Sequence, residues 1–289
     1  MERGKIKAMG RLDGKVFVIT GTSSGMGRAM AIQFAKEGAK LVISDINPNV
    51  PAGNYVADTD MRPTEEVIKS LGGEVIYTTC DVTKQEDVKN LIKTAVGKYG
   101  KITNVVANAG IWRGGVMMHH ESVDILDEMY AVNVKGPYLT CQEAIKQFLR
   151  QDSPGNIVVI CSSTSLAIYA SECAYCMTKS ALPALVKAVA LEYGPAGIRI
   201  NGICPTWVKT ALSHELYENE ALRHEAEMFI PLRKWCDVGD VANLATFLST
   251  DDSSFIHGTL IPVDGGNILS LGEVPPSFIN WDYSVDKEI

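Results

Sequence analysis

The sequence predicts an α/β fold: one doubly wound, parallel, seven-stranded sheet with helices on both faces, three layers in a single domain. Three observations carry this. Short runs rich in β-branched residues alternate with longer stretches of three- and four-residue apolar spacing along most of the chain. Several of those runs are apolar almost throughout, as strands covered on both faces must be. The first strand and first helix are joined by a glycine-rich turn, TGTSSGMG, from Thr20 to Gly27.

The expected strands are KVFVIT (15–20), LVIS (41–44), EVIYTT (74–79), ITNVVAN (102–108), NIVVIC (156–161), IRINGIC (198–204) and LIPVDGG (260–266). Helical spacing predicts helices over 27–38, 84–100 and 238–250, among others. Residues 47–63 (NPNVPAGNYVADTDMRP) break the rhythm. Their Pro, Gly and Asn content predicts a surface insertion that delays the second helix. Residues 1–11 form a basic arm, 12–268 the domain, and 269–289 an extension carrying Trp281 and Tyr283 among Pro and acidic residues.

Composition bounds the function. A net charge of −7 disfavours nucleic acid or anionic membrane as a partner, since both demand concentrated Lys and Arg. VFVIT after the basic start is too short for a secretory apolar region, and no run approaches the roughly 20 apolar residues of a membrane span. The expectation is a cytoplasmic protein. Seven cysteines, an odd number in apolar surroundings such as VVICSS and NGICPT, fit reduced buried thiols rather than a disulfide framework.

Gly21, Gly25 and Gly27 let the chain turn tightly, approach a pyrophosphate and pack helix against strand. The helix start then offers free N–H groups to phosphate through Ser23, Ser24 and Met26. Asp45 closes the second strand, 24 residues beyond Gly21, where a carboxylate binds ribose hydroxyls and repels a 2′-phosphate. Neither Ser24 nor Ile46 supplies a compensating positive charge, so NAD(H) is expected over NADP(H).

SECAYCMTKSAL (171–182) holds two competing pairs. Tyr175 and Lys179 are one helical turn apart and share a face. A neighbouring ammonium favours phenolate, turning a group of ordinary pKa near 10 into a usable acid–base. Ser162, thirteen residues upstream at the end of the fifth strand, is placed to hold a substrate oxygen. Cys173 and Cys176 have the C-x-x-C spacing, but no second pair or His motif completes four zinc ligands, so no metal is expected. His119 and His120 are expected to begin a helix or line a rim.

With these motifs in this order, the chain resembles the single-domain short-chain dehydrogenases/reductases over roughly residues 10–268. The resemblance implies a Rossmann-like fold and assigns roles by position. The glycine pattern falls on Thr20 to Gly27, the adenine-contacting pair on Asp81 and Val82, and N-N-A-G on Asn108, Ala109 and Gly110, with Ala107 departing. The catalytic residues it implies are Asn133, Ser162, Tyr175 and Lys179, with Asn133 holding a water in a proton relay. Lys179 and Tyr175 also contact the cofactor. RINGICPTWVKT (199–210) matches through Arg199, Asn201, Pro205 and Thr210, so Pro205, Val208 and Thr210 are expected at the nicotinamide. Thr206 stands where the family has Gly, which puts the local backbone and pocket shape in question. A substrate-binding lid is implied over 206–236, and a homotetramer is the family's expectation.

IW (111–112), SLAIY (165–169) and TWVKTALSHELY (206–217) are the expected pocket-facing segments, with Trp112, Thr164, Trp207 and Leu212 as substrate contacts. For the two tryptophans, core packing is the competing reading. An apolar, aromatic wall suits a bulky, weakly polar ketone or secondary alcohol. The insertion after the second strand and both extensions resemble those of bacterial terpene-alcohol and hydroxysteroid dehydrogenases. That resemblance implies a hydroxysteroid dehydrogenase acting on a side-chain keto group as the leading expectation, and carveol-type terpene alcohols as the alternative. An enoyl reductase would place its Lys seven residues after the Tyr, where Leu182 stands. A non-enzymatic NAD sensor commonly lacks the Tyr or the Lys, and both are present.

Overall fold

The computed structural model describes residues 10–51 and 60–270. Seven strands form one parallel sheet in the order β3-β2-β1-β4-β5-β6-β7: β1 (Val16–Thr20), β2 (Lys40–Asp45), β3 (Glu74–Thr79), β4 (Asn104–Ala107), β5 (Gly155–Ile160), β6 (Ile198–Pro205) and β7 (Leu260–Val263). The helices are α1 (Gly25–Lys36), α2 (Thr64–Ser70), α3 (Gln85–Tyr99), α4 (Val123–Tyr130), α5 (Gly136–Arg150), α6 (Cys173–Tyr193), α7 (His214–Glu218), α8 (Glu220–Met228) and α9 (Val238–Leu248). All seven expected strands form, with ends displaced by up to three residues. Asp264–Gly266 leaves the last strand for a turn, in which Asp264 Oδ1 and Oδ2 accept the N–H groups of Gly266 and Ile268, both at 2.9 Å.

Side chains alternate across each strand and feed two cores. Phe17 and Ile19 pack with Phe34 of α1 and Val241 of α9. Val18, Val105 and Val159 pack on the other face with Leu91 of α3, Phe148 of α5 and Val186 of α6. The first helix ends at Lys36, two residues before its expected end at 38. Gly38 takes φ +90° and Ala39 N–H returns to Phe34 O at 3.0 Å, a glycine C-terminal cap. The second helix starts at Thr64, so the insertion delays it as expected; residues 52–59 of that insertion, most of the basic arm, and the tail with Trp281 and Tyr283 lie outside the described residues.

Strand order reverses between β1 and β4, which opens a crevice at their carboxyl ends. The glycine turn leaves β1 there, and the segments after β4, β5 and β6 border it. No helix among the described residues is long and apolar enough to cross a membrane.

Candidate active site

The glycine turn is built by contact as well as conformation. Gly21 adopts φ +71°. A Cβ on Gly27 would lie 1.9 Å from Gly21 O and 2.5 Å from Asn108 Nδ2, so helix and turn touch at the distance only glycine permits. Asn108, at the end of β4, clamps the turn: its Nδ2 donates to Thr20 O at 2.9 Å and Gly21 O at 2.8 Å. Ala109 N–H reaches Thr20 Oγ1 at 3.2 Å. Ser24 caps α1 without a side-chain bond, which leaves the first N–H groups of the helix open towards the crevice. Thr210 closes over the turn, its Cγ2 at 3.2 Å from where a Gly25 Cβ would be.

Asp45 ends β2 beside this turn. Its Oδ2 accepts Ser23 N–H at 3.0 Å and its Oδ1 accepts Ile46 N–H at 2.8 Å. The nearby basic side chains are engaged elsewhere. The Arg28 guanidinium is buried and donates to Asp60 O, Arg62 O and Thr64 Oγ1, while Arg62 pairs with Asp60 at 2.6 Å. Asp81 turns its Oδ1 to Thr83 N–H and Oγ1, at 3.0 and 2.7 Å, and its Oδ2 to Lys84. Val82 packs where Gly136 has no side chain.

A proline sets the geometry of the polar cluster. Pro183 lies inside α6 and has no N–H to give the carbonyl four residues back, which is that of Lys179. Ser165 Oγ donates to that carbonyl instead at 2.8 Å and accepts Ser162 N–H at 3.2 Å, which docks the turn after β5 against α6. Ser162 Oγ accepts Thr164 N–H at 3.2 Å and lies beside the Tyr175 phenol on the wall of one cavity. Lys179 Nζ, almost fully buried, sits 5.9 Å from the Tyr175 ring centroid and has one carbonyl partner, Ile160 O at 3.2 Å. Gly110 lies against both Lys179 Nζ and Asn133 Oδ1, at 3.5 and 3.3 Å from its would-be Cβ.

Burial pushes the Tyr175 phenol above its ordinary pKa, against the opposing influence of Ser162, and burial pushes Lys179 below its own. Desolvation is the largest influence on both groups. The Asn133 side chain exchanges two 2.8 Å bonds with the backbone of Ile111 and donates to Thr178 Oγ1 at 3.3 Å. It lies in a π-helical turn, Ala131–Lys135, between α4 and α5. That turn pins the chain after β4 beside Lys179.

Tyr175 and Ser162 open into a cavity of about 970 Å³ including its mouth. Trp112, Thr164, Trp207 and Leu212, all expected substrate contacts, wall it, as do Met26, Pro205, Val208 and Thr210. Trp207 stacks on Tyr169 at 6.3 Å and meets Trp235 at a tilt at 6.1 Å, so it serves both pocket and packing. Thr206 and Trp207 follow β6 without a left-handed backbone, and Thr206 Oγ1 donates to Asn267 at 3.0 Å, which also accepts the Tyr169 hydroxyl at 2.6 Å. The lid has its own core: Trp235, fully buried, meets Tyr217 edge-on at 5.3 Å and donates to Arg223 O at 3.3 Å.

Part of the expected wall faces away. Leu166 and Ile168 are exposed, and Ile111 is occupied with Asn133. Sequence reasoning also missed Glu172, whose Oε2 accepts the Trp112 indole N–H at 2.7 Å inside the cavity. Burial lifts its carboxyl to about 7, the Trp112 bond opposes this, and Glu121 adds to it. An acid three residues before Tyr175 was the available signal. Cys176 is buried and Cys173 partly exposed, both free, and burial raises the Cys176 thiol. His119 and His120 stack at 4.1 Å in an exposed turn, and no group of metal-ligating side chains occurs among the described residues.

Comparison with known proteins fits this geometry. A family model described as enoyl-(acyl carrier protein) reductase, of the short-chain alcohol dehydrogenase type, matches residues 21–267. The chain is 35% identical over 256 residues to 2,5-dichloro-2,5-cyclohexadiene-1,4-diol dehydrogenase of Sphingobium indicum, covering 89% of this chain and 97% of that one. Among solved structures it is similar to carveol dehydrogenase from Mycobacterium avium in complex with NAD (28% identity, TM-score 0.81, 90% and 99% covered). Levodione reductase is comparable (28% identity, TM-score 0.78, 88% and 98% covered). A family model over most of the chain and a relative 35% identical along it show that this chain belongs to the short-chain dehydrogenase/reductase family, as an oxidoreductase of alcohols and ketones.

Proposed function

We propose that this chain uses NAD(H) to interconvert a bulky, weakly polar ring ketone and its secondary alcohol, with Asn133, Ser162, Tyr175 and Lys179 as the working residues. The observation that carries the proposal is the opening of the Ser162–Tyr175 pair into an apolar cavity, with Lys179 buried behind it and short of hydrogen-bond partners. The bound nicotinamide supplies the carbon that gives or takes the hydride. Ser162 Oγ holds the substrate oxygen, and Tyr175 delivers the proton to that oxygen on reduction or removes it on oxidation. Alcohol and NAD⁺ thereby balance ketone, NADH and one proton. Lys179 turns its free N–H groups to the cofactor ribose, and Asn133 keeps the loop after β4 in register with it.

The cofactor cradle fits. Gly21, Gly25 and Gly27 with Ser23, Ser24 and Met26 offer backbone to the pyrophosphate; Asp81, Val82, Asn108, Ala109 and Gly110 border the adenosine side, and Pro205, Val208 and Thr210 the nicotinamide side. Asp45, with no free basic partner beside it, supports NAD(H) over NADP(H). Replacing Asp45 with Ala should narrow the NADH preference by about tenfold or more, a loss of at least ~1.4 kcal/mol of discrimination. NADH and NADPH oxidation measured with steroid ketones, terpene ketones and small cyclic diketones tests the whole reading. A hydroxysteroid substrate remains the first expectation and carveol-type alcohols the second. NADPH preference would overturn the role of Asp45, and inactivity on every ketone the function itself.

Cys173 and Cys176 have no part in this chemistry. The double variant Cys173→Ala, Cys176→Ala should keep most ketone reductase activity, and a total loss would restore a thiol mechanism.

A further inference from the structure

Glu172 is the one charged side chain among the residues that wall the cavity. Several features hold it there at a cost to the backbone. Ser171 before it adopts φ +62°, in the left-handed region that non-glycine residues avoid, and its carbonyl accepts Gly115 N–H at 2.9 Å. Gly114 has no Cβ where one would stand 2.2 Å from Glu172 Oε2, so the loop after β4 closes directly onto the carboxyl. Trp112 then binds Oε2 at 2.7 Å, and Oε1 has no hydrogen-bond partner among the described residues. Ser171 Oγ, also unpartnered, lines the same cavity. Glu172 is the N-cap residue of α6, three residues before Tyr175, and both side chains line the same cavity.

We propose that Glu172 is the polar subsite of this cavity and selects ring ketones and alcohols that carry a second hydroxyl, which it holds while Tyr175 serves the reacting oxygen. This rests on the ketone–alcohol reading above and adds the substrate class. In an apolar wall, a carboxyl oxygen without a protein partner costs stability unless water or a ligand satisfies it. A hydroxyl suits it best, because it is donor and acceptor at once and matches the carboxyl protonated or ionised. An ammonium would match only the ionised form, which burial and Glu121 both disfavour. A purely structural Glu172, present to anchor Trp112, would affect all substrates alike.

The test compares reduction of 4-hydroxycyclohexanone, 4-methylcyclohexanone and 4-aminocyclohexanone by wild type, Glu172→Gln and Glu172→Leu. Wild type should favour the hydroxy ketone over the methyl ketone by about tenfold or more in kcat/KM, since a site built around a hydrogen bond rejects the analogue that lacks it. Glu172→Leu should bring that ratio to near one, chiefly through a higher KM for the hydroxy ketone. Glu172→Gln, which keeps an acceptor for Trp112 and an oxygen for the hydroxyl, should retain much of the preference. Equal use of the first two ketones by wild type, or a parallel fall on both in Glu172→Leu, overturns the subsite while leaving the reductase reading intact. Preference for the amino ketone overturns the hydroxyl assignment. Failure to reduce any of the three, or any ketone of the broader panel, removes the functional reading itself.

Discussion

Tyr175→Phe is expected to lower kcat for ketone reduction by about 10²–10⁴, the range lost when a positioned proton donor is removed. Phenylalanine keeps the ring and its packing against Lys179, so NADH affinity should stay within about twofold, as expected when only a transition-state interaction is lost. Steady-state kinetics with a fluorescence titration of NADH separates the two. Substantial residual turnover would remove Tyr175 from the chemistry. The pH dependence has a defined sign. Burial holds the phenol proton tightly, so alcohol oxidation, which needs the phenolate, should accelerate as pH rises into the alkaline range. Ketone reduction, which needs the protonated phenol, should decline over the same range. Both trends should vanish from whatever activity Tyr175→Phe retains.

Gly27→Ala should cost about 3 kcal/mol or more, at or above the upper end of overpacking penalties, and should abolish measurable cofactor binding. The added methyl would overlap Gly21 O and Asn108 Nδ2, and neither is the free end of a flexible chain. Relief would require α1 to back away from the turn, which carries off the helix N–H groups offered to the pyrophosphate. Gly97→Ala is the control. Gly97 lies in α3 with nothing within 4 Å of its would-be Cβ, so the substitution should stabilise by about 0.5–1 kcal/mol through backbone entropy alone. Chemical denaturation of both variants tests the pair; equal effects would mean that close approach at Gly27 is not what its glycine serves.

Much of the site was legible in the sequence because its determinants are local. Strand and helix periods follow from which residues must face a core on one side or two. The glycine turn declares itself because no other residue makes Gly21 and Gly27 meet. Tyr175 and Lys179 share a face by helical geometry, whatever surrounds α6. Other features depended on segments far apart in the chain. The Asn133 side chain bonds Ile111, 22 residues away, and so holds the loop after β4, a contact that no local pattern announces. Leu166 and Ile168 are as apolar as the pocket they were expected to line, yet the turn after β5 directs them to solvent. The Trp112–Glu172 bond spans 60 residues, so the nearness of Glu172 to Tyr175 in sequence does not by itself reveal the indole that meets it.

By itself, then, the sequence determined the parallel sheet, the cradle at the start of α1 and the pairing of Tyr175 with Lys179, since each follows from the stereochemistry of a few adjacent residues. Tertiary structure alone decided which way the two working groups titrate and what else shares their cavity. Desolvation and the approach of a charge are properties of the packed interior, set where the loop after β4, the turn after β5 and the segment after β6 meet around one cavity.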